Sequence, residues 1–186
     1  MSTPNALVLA KLKEDPDAAA RFLALFSGSP HVLLEDKGRI ETDLLKEYAQ
    51  KIRLRVFEAA DHSFFRKRHS AARSVRIMRD AIVDISLLNQ ADFVLAQLSE
   101  RLQPDRFSAQ EYNEAVYSFS SDLIDFLTGI GGLVVCCLKM DGEYHLFLAG
   151  NSANLAEGTL NDVIPTFLDL AGLSKPDGMK GTSLII

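Results

Sequence analysis

Two β-prone runs, residues 133–140 and 143–149, flank the dipeptide Asp141-Gly142. A two-residue hairpin turn whose twist matches its strands needs positive φ at both central positions, and Asp-Gly meets that need at low cost. This hairpin signal constrains the chain more than any other local feature. Whatever else forms, an antiparallel strand pair stands near the C-terminal third.

The remaining segments are read around that hairpin. Residues 5–26 are rich in Ala and Leu and break at Asp15-Pro16, which predicts two short helices with Pro16 early in the second. His31 to Leu34 reads as a short strand, and Thr42 to Tyr48 as a capped helix. Residues 53–58 alternate Leu54 and Val56 with Arg53 and Arg55, the period of a half-buried strand. From Ser70 onward, Ile77, Ala81, Ile85, Leu88, Ala91, Leu95, Leu98 and Leu102 recur at three and four residues. That spacing predicts a helix to about Leu102, bent near Asn89 and stopped by Pro104. Ser108 and Glu111 have capping-box spacing and open a second helix through Val116, Phe119, Leu123 and Phe126 to Gly129. Together the two form an αα-hairpin. Thr159 caps a last helix to Leu170, with Pro165 near its first turn and Gly172 as the stop.

The fold class expected is α+β and mainly helical, with an αα-hairpin, a β-hairpin and a C-terminal helix. A boundary near residue 70 or near 104 is expected. The division is a small α/β segment over 1–69 and the helical hairpin, β-hairpin and last helix over 70–186, or else a single domain.

Composition limits the partners. A net charge of −5 on 186 residues gives no global attraction to nucleic acid or to an anionic membrane. No apolar run approaches the roughly 18 residues of a membrane span, and no basic-then-apolar leader opens the chain. A cytoplasmic location without membrane contact is expected. Cys136 and Cys137 are adjacent, so on a strand they point to opposite faces and are poorly placed to pair.

Residues 158–185 carry a longer motif. Asp162, Pro165, Thr166, Leu168, Asp169, Leu170, Gly172 and Leu173 are followed by Pro176, Met179, Gly181, Ser183 and Leu184. This string resembles the terminal stretch of the alkaline-phosphatase superfamily, of the cofactor-independent phosphoglycerate mutase, phosphatase and sulfatase type. The resemblance implies a helix packed beside a sheet, then a tail. In that family the chemistry lies upstream, where a Ser or Thr nucleophile and Asp and His ligands hold two metals. A weaker local resemblance links residues 30–65 to the C-terminal region of α/β-hydrolases. It implies His62 as a general base and an acid position at Gly38, with Asp36 two residues away. No G-x-S-x-G elbow accompanies it.

Three sets of residues are candidates for chemistry. Asp61 and His62 follow a strand and His69 lies seven residues on, a donor set suited to zinc or manganese. By the superfamily resemblance such a pair supplies metal ligands, although Ser63 stands where that family has Gly. Arg66, Lys67, Arg68, Arg73, Arg76 and Arg79 form a basic stripe that suits phosphates, from a ligand or from nucleic acid. The third is the apolar surface of the helical hairpin, which exceeds what a thin domain covers. The leading expectation is a non-catalytic intracellular interaction or regulatory protein working through that helical surface, toward a protein partner or its own copy as a homodimer. The alternatives are a metal-dependent phosphatase- or hydrolase-like protein using Asp61, His62 and His69, and a phosphate or nucleic-acid binder using the stripe.

Overall fold

The computed structural model describes residues 4–58, 71–98 and 109–186. Among them the elements are β1 (Asn5–Lys11), α1 (Pro16–Leu25), β2 (His31–Glu35), α2 (Thr42–Glu47), β3 (Leu54–Glu58) and α3 (Ala71–Leu87). They continue with β4 (Phe93–Leu98), α4 (Ala109–Gly129), β5 (Val134–Met140), β6 (Glu143–Ala149), β7 (Gly158–Thr159), a short 3-10 helix (Leu160–Asp162) and α5 (Val163–Leu170). The strands form one sheet in the order β3-β4-β1-β5-β6-β2-β7. β3, β4, β1 and β5 run parallel, and β6 is antiparallel to both β5 and β2.

Each face of the sheet is covered. Alternate residues of one strand face opposite ways. Ala6, Val8 and Ala10 of β1 join Val94, Ala96 and Leu98 of β4 in a core with Phe22 of α1, Ile82 of α3 and Val116, Phe119 and Leu123 of α4. Leu7 and Leu9 join Leu95, Cys137 and Leu146 on the opposite face, under Leu45 of α2 and Val163, Ile164, Phe167 and Leu168 of α5. The result is a three-layer α/β/α arrangement. Cys136 and Cys137 are both buried, one in each core, and unpaired.

The mainly helical expectation is therefore wrong, and two segments account for the error. β1 was expected as helix because Ala and Leu are strong helix formers. It is a fully covered parallel strand, and burial between two neighbours overrides propensity. The helix expected to reach Leu102 ends at Leu87. Asn89 turns the chain with φ 53°, and Phe93–Leu98 is a strand. A buried parallel strand is apolar at nearly every position, so any helical spacing can be found within it. With β4 between α3 and α4, there is no αα-hairpin of consecutive helices. The two helices meet on one face of the sheet instead.

The β-hairpin stands as expected. Met140 pairs with Glu143 across a turn in which Asp141 has φ 50° and Gly142 φ 82°. The 31–34 strand, the 54–58 strand and the helix after Asp15-Pro16 also form, with Asp15 accepting a bond from Asp17 N at 3.1 Å. Thr159 and Asp162 form a capping box ahead of α5, and Gly172 follows its end with φ 74°. Among the described residues no helix is long and apolar enough to cross a membrane.

Candidate functional site

The carboxyl ends of four parallel strands share one edge, where open α/β sheets bind ligands. A cavity of about 510 Å³ opens there, on the face carrying α2 and α5. Register explains its floor. Gln97, Leu9 and Cys137 are cross-strand neighbours on β4, β1 and β5, and Lys11 lies two residues further toward the strand end. Ala10, Leu98, Tyr144 and Leu160 complete a buried apolar lining. The wall is the segment between β2 and α2, which contributes Asp36, Gly38, Arg39, Ile40 and Thr42.

That wall is held by the C-terminal segment. Asn161 Oδ1 accepts from Arg39 N at 3.1 Å, Leu160 N donates to Lys37 O at 3.3 Å, and Glu41 Oε2 accepts from Lys180 N at 2.9 Å. Gly38 has φ 70°, and a Cβ there would come within 2.4 Å of the Asn161 amide, so the close approach requires glycine. Asp162 accepts from Thr159 N and Thr182 N, each at 2.8 Å. Thr166 Oγ1 donates to Asp162 O at 2.6 Å and accepts from Leu184 N at 2.9 Å. The motif residues of 158–185 thus bind one another and the cavity wall.

The lining has an apolar floor and a charged mouth. Lys11, Asp36 and Arg39 are exposed, and among the described residues no ion pair engages them. Elsewhere pairing is common: Lys46 meets Glu58 at 2.5 Å and Arg53 meets Asp92 at 3.3 Å. At the floor, the Gln97 side-chain oxygen is buried and has no hydrogen-bond partner among the described residues. Burial pushes the Cys137 thiol up to about 12, so it stands there as a neutral apolar group rather than a nucleophile.

This donor set does not suit a divalent metal by itself. Metal sites of the zinc or manganese kind need several imidazole, thiolate or carboxylate donors converging. The described lining supplies one carboxylate, a neutral thiol and two cationic side chains. Among the described residues no group of three His, Cys, Asp or Glu could hold a metal.

Asp61, His62, His69, Arg66, Lys67 and Arg68 lie outside the described residues, as do Ser108 and Pro104. Arg73, Arg76 and Arg79 lie on α3 as the spacing predicted. Arg79 is bound to Asp80 at 2.9 Å and to Asp122 of α4 at 2.5 Å. These bonds, first with Asp80 and then with Asp122, raise its pKa. Gly38, the acid position of the weaker resemblance, and Asp36, two residues away, both line the cavity. Lys11, Arg39, Gln97 and Tyr144 were not singled out in the sequence. A signal existed for Lys11, a lysine ending an apolar run, but it acquires meaning once that run is a central strand.

A second cluster lies on the other face. His31 Nε2 and His145 Nδ1 are 2.8 Å apart, and both rings stack with Phe147. Burial lowers the pKa of His31. Burial first, and then the nearby His31, lowers that of His145.

Fold and cavity together describe an α/β/α protein with a cavity at the carboxyl edge of its parallel strands. Its architecture is similar to that of the lipoteichoic acid synthase LtaP from Listeria monocytogenes, with a TM-score of 0.61 at 12% identity, over 98% of this chain and 75% of that one. That likeness is one of fold. No family model and no curated protein sequence matches the chain.

Proposed function

We propose that the chain is a phosphatase- or sulfatase-like protein that works on a phosphate or sulfate ester at the carboxyl-edge cavity. The observation that carries this reading is the cavity itself. It has the size of a small-molecule site and a charged mouth over an apolar floor, in a fold similar to the synthase. The interaction reading rested on a helical hairpin, and the sheet that separates α3 from α4 in sequence removes that basis.

In this reading Asp61, His62 and His69 are the candidate ligands for zinc or manganese. They follow β3, whose carboxyl end Glu58 sits in the same cross-strand row as Gln97. A bound metal would supply a Lewis acid for the ester oxygens. The chain's described residues have separate tasks. Lys11 and Arg39 attract the anionic group to the mouth, and the apolar floor receives the organic body and excludes water.

The test is hydrolysis of 4-nitrophenyl phosphate and 4-nitrophenyl sulfate by the full chain, with and without added zinc or manganese, alongside elemental analysis. The expected result is metal-stimulated turnover, lost together with bound metal in His62→Ala. A metal-free protein without turnover under every condition would overturn the hydrolase reading.

A further inference from the structure

We propose that residues 36–42 form a strap that swings away from the cavity as one unit while the sheet stays folded, and that Asn161 is the latch that holds it shut. This motion governs access to the cavity, and its purpose rests on the reading of that cavity as the working site.

The strap is held at its ends and along one seam. Leu34 and Leu45 anchor its two flanks in the core, and no residue between them is buried. Asp36 to Arg39 are exposed, and Ile40 is half-buried against the core. Lys37 N donates to Glu35 O at 2.8 Å and Thr42 N to Ile40 O at 2.9 Å, closing local turns that tie it to nothing distant. A segment with few buried apolar contacts and an exposed backbone opens at a free energy well below that of global unfolding.

Among the described residues, three hydrogen bonds cross from the strap to a distant part of the chain, and all three reach the C-terminal segment. They are Arg39 N to Asn161 Oδ1, Leu160 N to Lys37 O and Lys180 N to Glu41 Oε2. Asn161 stands at the centre of this seam. Its side-chain amide lies against Gly38 and its backbone carbonyl against Gly181, both at positive φ, where an added Cβ would come within 2.4 Å and 2.1 Å of it. One side of the seam is a bonded scaffold, in which Asp162 and Thr166 bind the tail. The other is a ribbon without a buried residue. When the seam parts, the ribbon moves and the scaffold stays. Because the ribbon is one wall of the cavity, its departure opens the floor of Leu9 and Leu98 to entry from outside.

The experiment is native-state amide hydrogen exchange of the full chain, followed by NMR at low, sub-denaturing guanidinium chloride. The seam amides of Arg39, Leu160 and Lys180 should share one protection factor, insensitive to denaturant and at least about tenfold below those of Leu95 and Val135 in the central strands. Asn161→Ala should lower all three together about fivefold, the scale of one lost hydrogen bond, and leave Leu95 and Val135 unchanged. Gly38→Ala, which drives a Cβ into the Asn161 amide, should lower the same three at least as far. Melting curves of both variants check that each is folded, and the wild-type pattern tests the strap by itself. Three seam amides with unrelated protection factors, or with exchange only through global unfolding, would overturn the proposal. So would a loss in Asn161→Ala confined to Arg39. No ligand, metal or turnover enters the measurement, so its failure leaves the hydrolase reading standing, and a chain without turnover leaves the strap standing.

Discussion

The C-terminal segment and the carboxyl-edge cavity lie side by side and treat polar groups in opposite ways. In the segment, Asp162, Thr166, Asp169 and Ser183 all have partners within the segment, at 2.6–2.9 Å for the principal bonds. Around the cavity, among the described residues, the buried Gln97 oxygen has no hydrogen-bond partner and no ion pair engages Lys11, Asp36 or Arg39. Satisfied polar networks fix a structure. Unsatisfied groups around a cavity lower stability and are retained where they meet something else. The difference makes the recognisable motif scaffold, and under the proposed function it leaves ligand contact to residues that form no motif at all.

Substitutions on the two sides should therefore separate stability from binding. The largest effect is expected at Gly181, where φ is 87° and an added Cβ would lie 2.1 Å from the Asn161 carbonyl oxygen. Gly181→Ala should cost about 2–4 kcal/mol through backbone strain and displacement of the wall, measured by denaturant unfolding. A loss under about 0.5 kcal/mol would mean that the tail does not brace the cavity. Thr166→Val should cost about 1–3 kcal/mol, because it strips a buried side chain of bonds to Asp162 O and Leu184 N. Gln97→Met should be neutral or stabilising by up to about 1 kcal/mol, since among the described residues its side-chain oxygen has no bond to lose and a buried orphan is removed. A clear destabilisation there would erase the contrast between the two regions.

The smallest effect belongs to the histidine pair. His31 and His145 both have lowered pKa values, so the unfolded chain binds more protons below its ordinary histidine value near 6.5. Their contribution is present above that value and is lost as pH falls through it toward the folded values. Unfolding measured from pH 7.5 to 5 should show declining stability, with a shallower decline in His31→Phe. An unchanged slope in that variant would exclude the pair as the source.

How much was legible in the sequence follows from the same physics. The hairpin was readable because Asp141-Gly142 specifies its own turn, and the last helix because Thr159, Asp162 and Gly172 mark its ends locally. The central strands β1 and β4 were not. Burial between neighbours from distant parts of the chain makes them strands, and no local period records that. The site followed the strands. Lys11 and Gln97 come to line one cavity only through the β1–β4 register, and Arg39 joins that lining through Asn161, far along the chain. The motif that was easy to recognise is the part that holds the site.

The central claim is that ligand recognition occurs at this cavity, and amide NMR of the full chain titrated with phenyl phosphate tests it most directly. The account predicts saturable shifts at Lys11, at Gln97 and across residues 36–42, abolished by Lys11→Met. Shifts confined to Arg73, Arg76 and Arg79 on α3, or none anywhere, would contradict it.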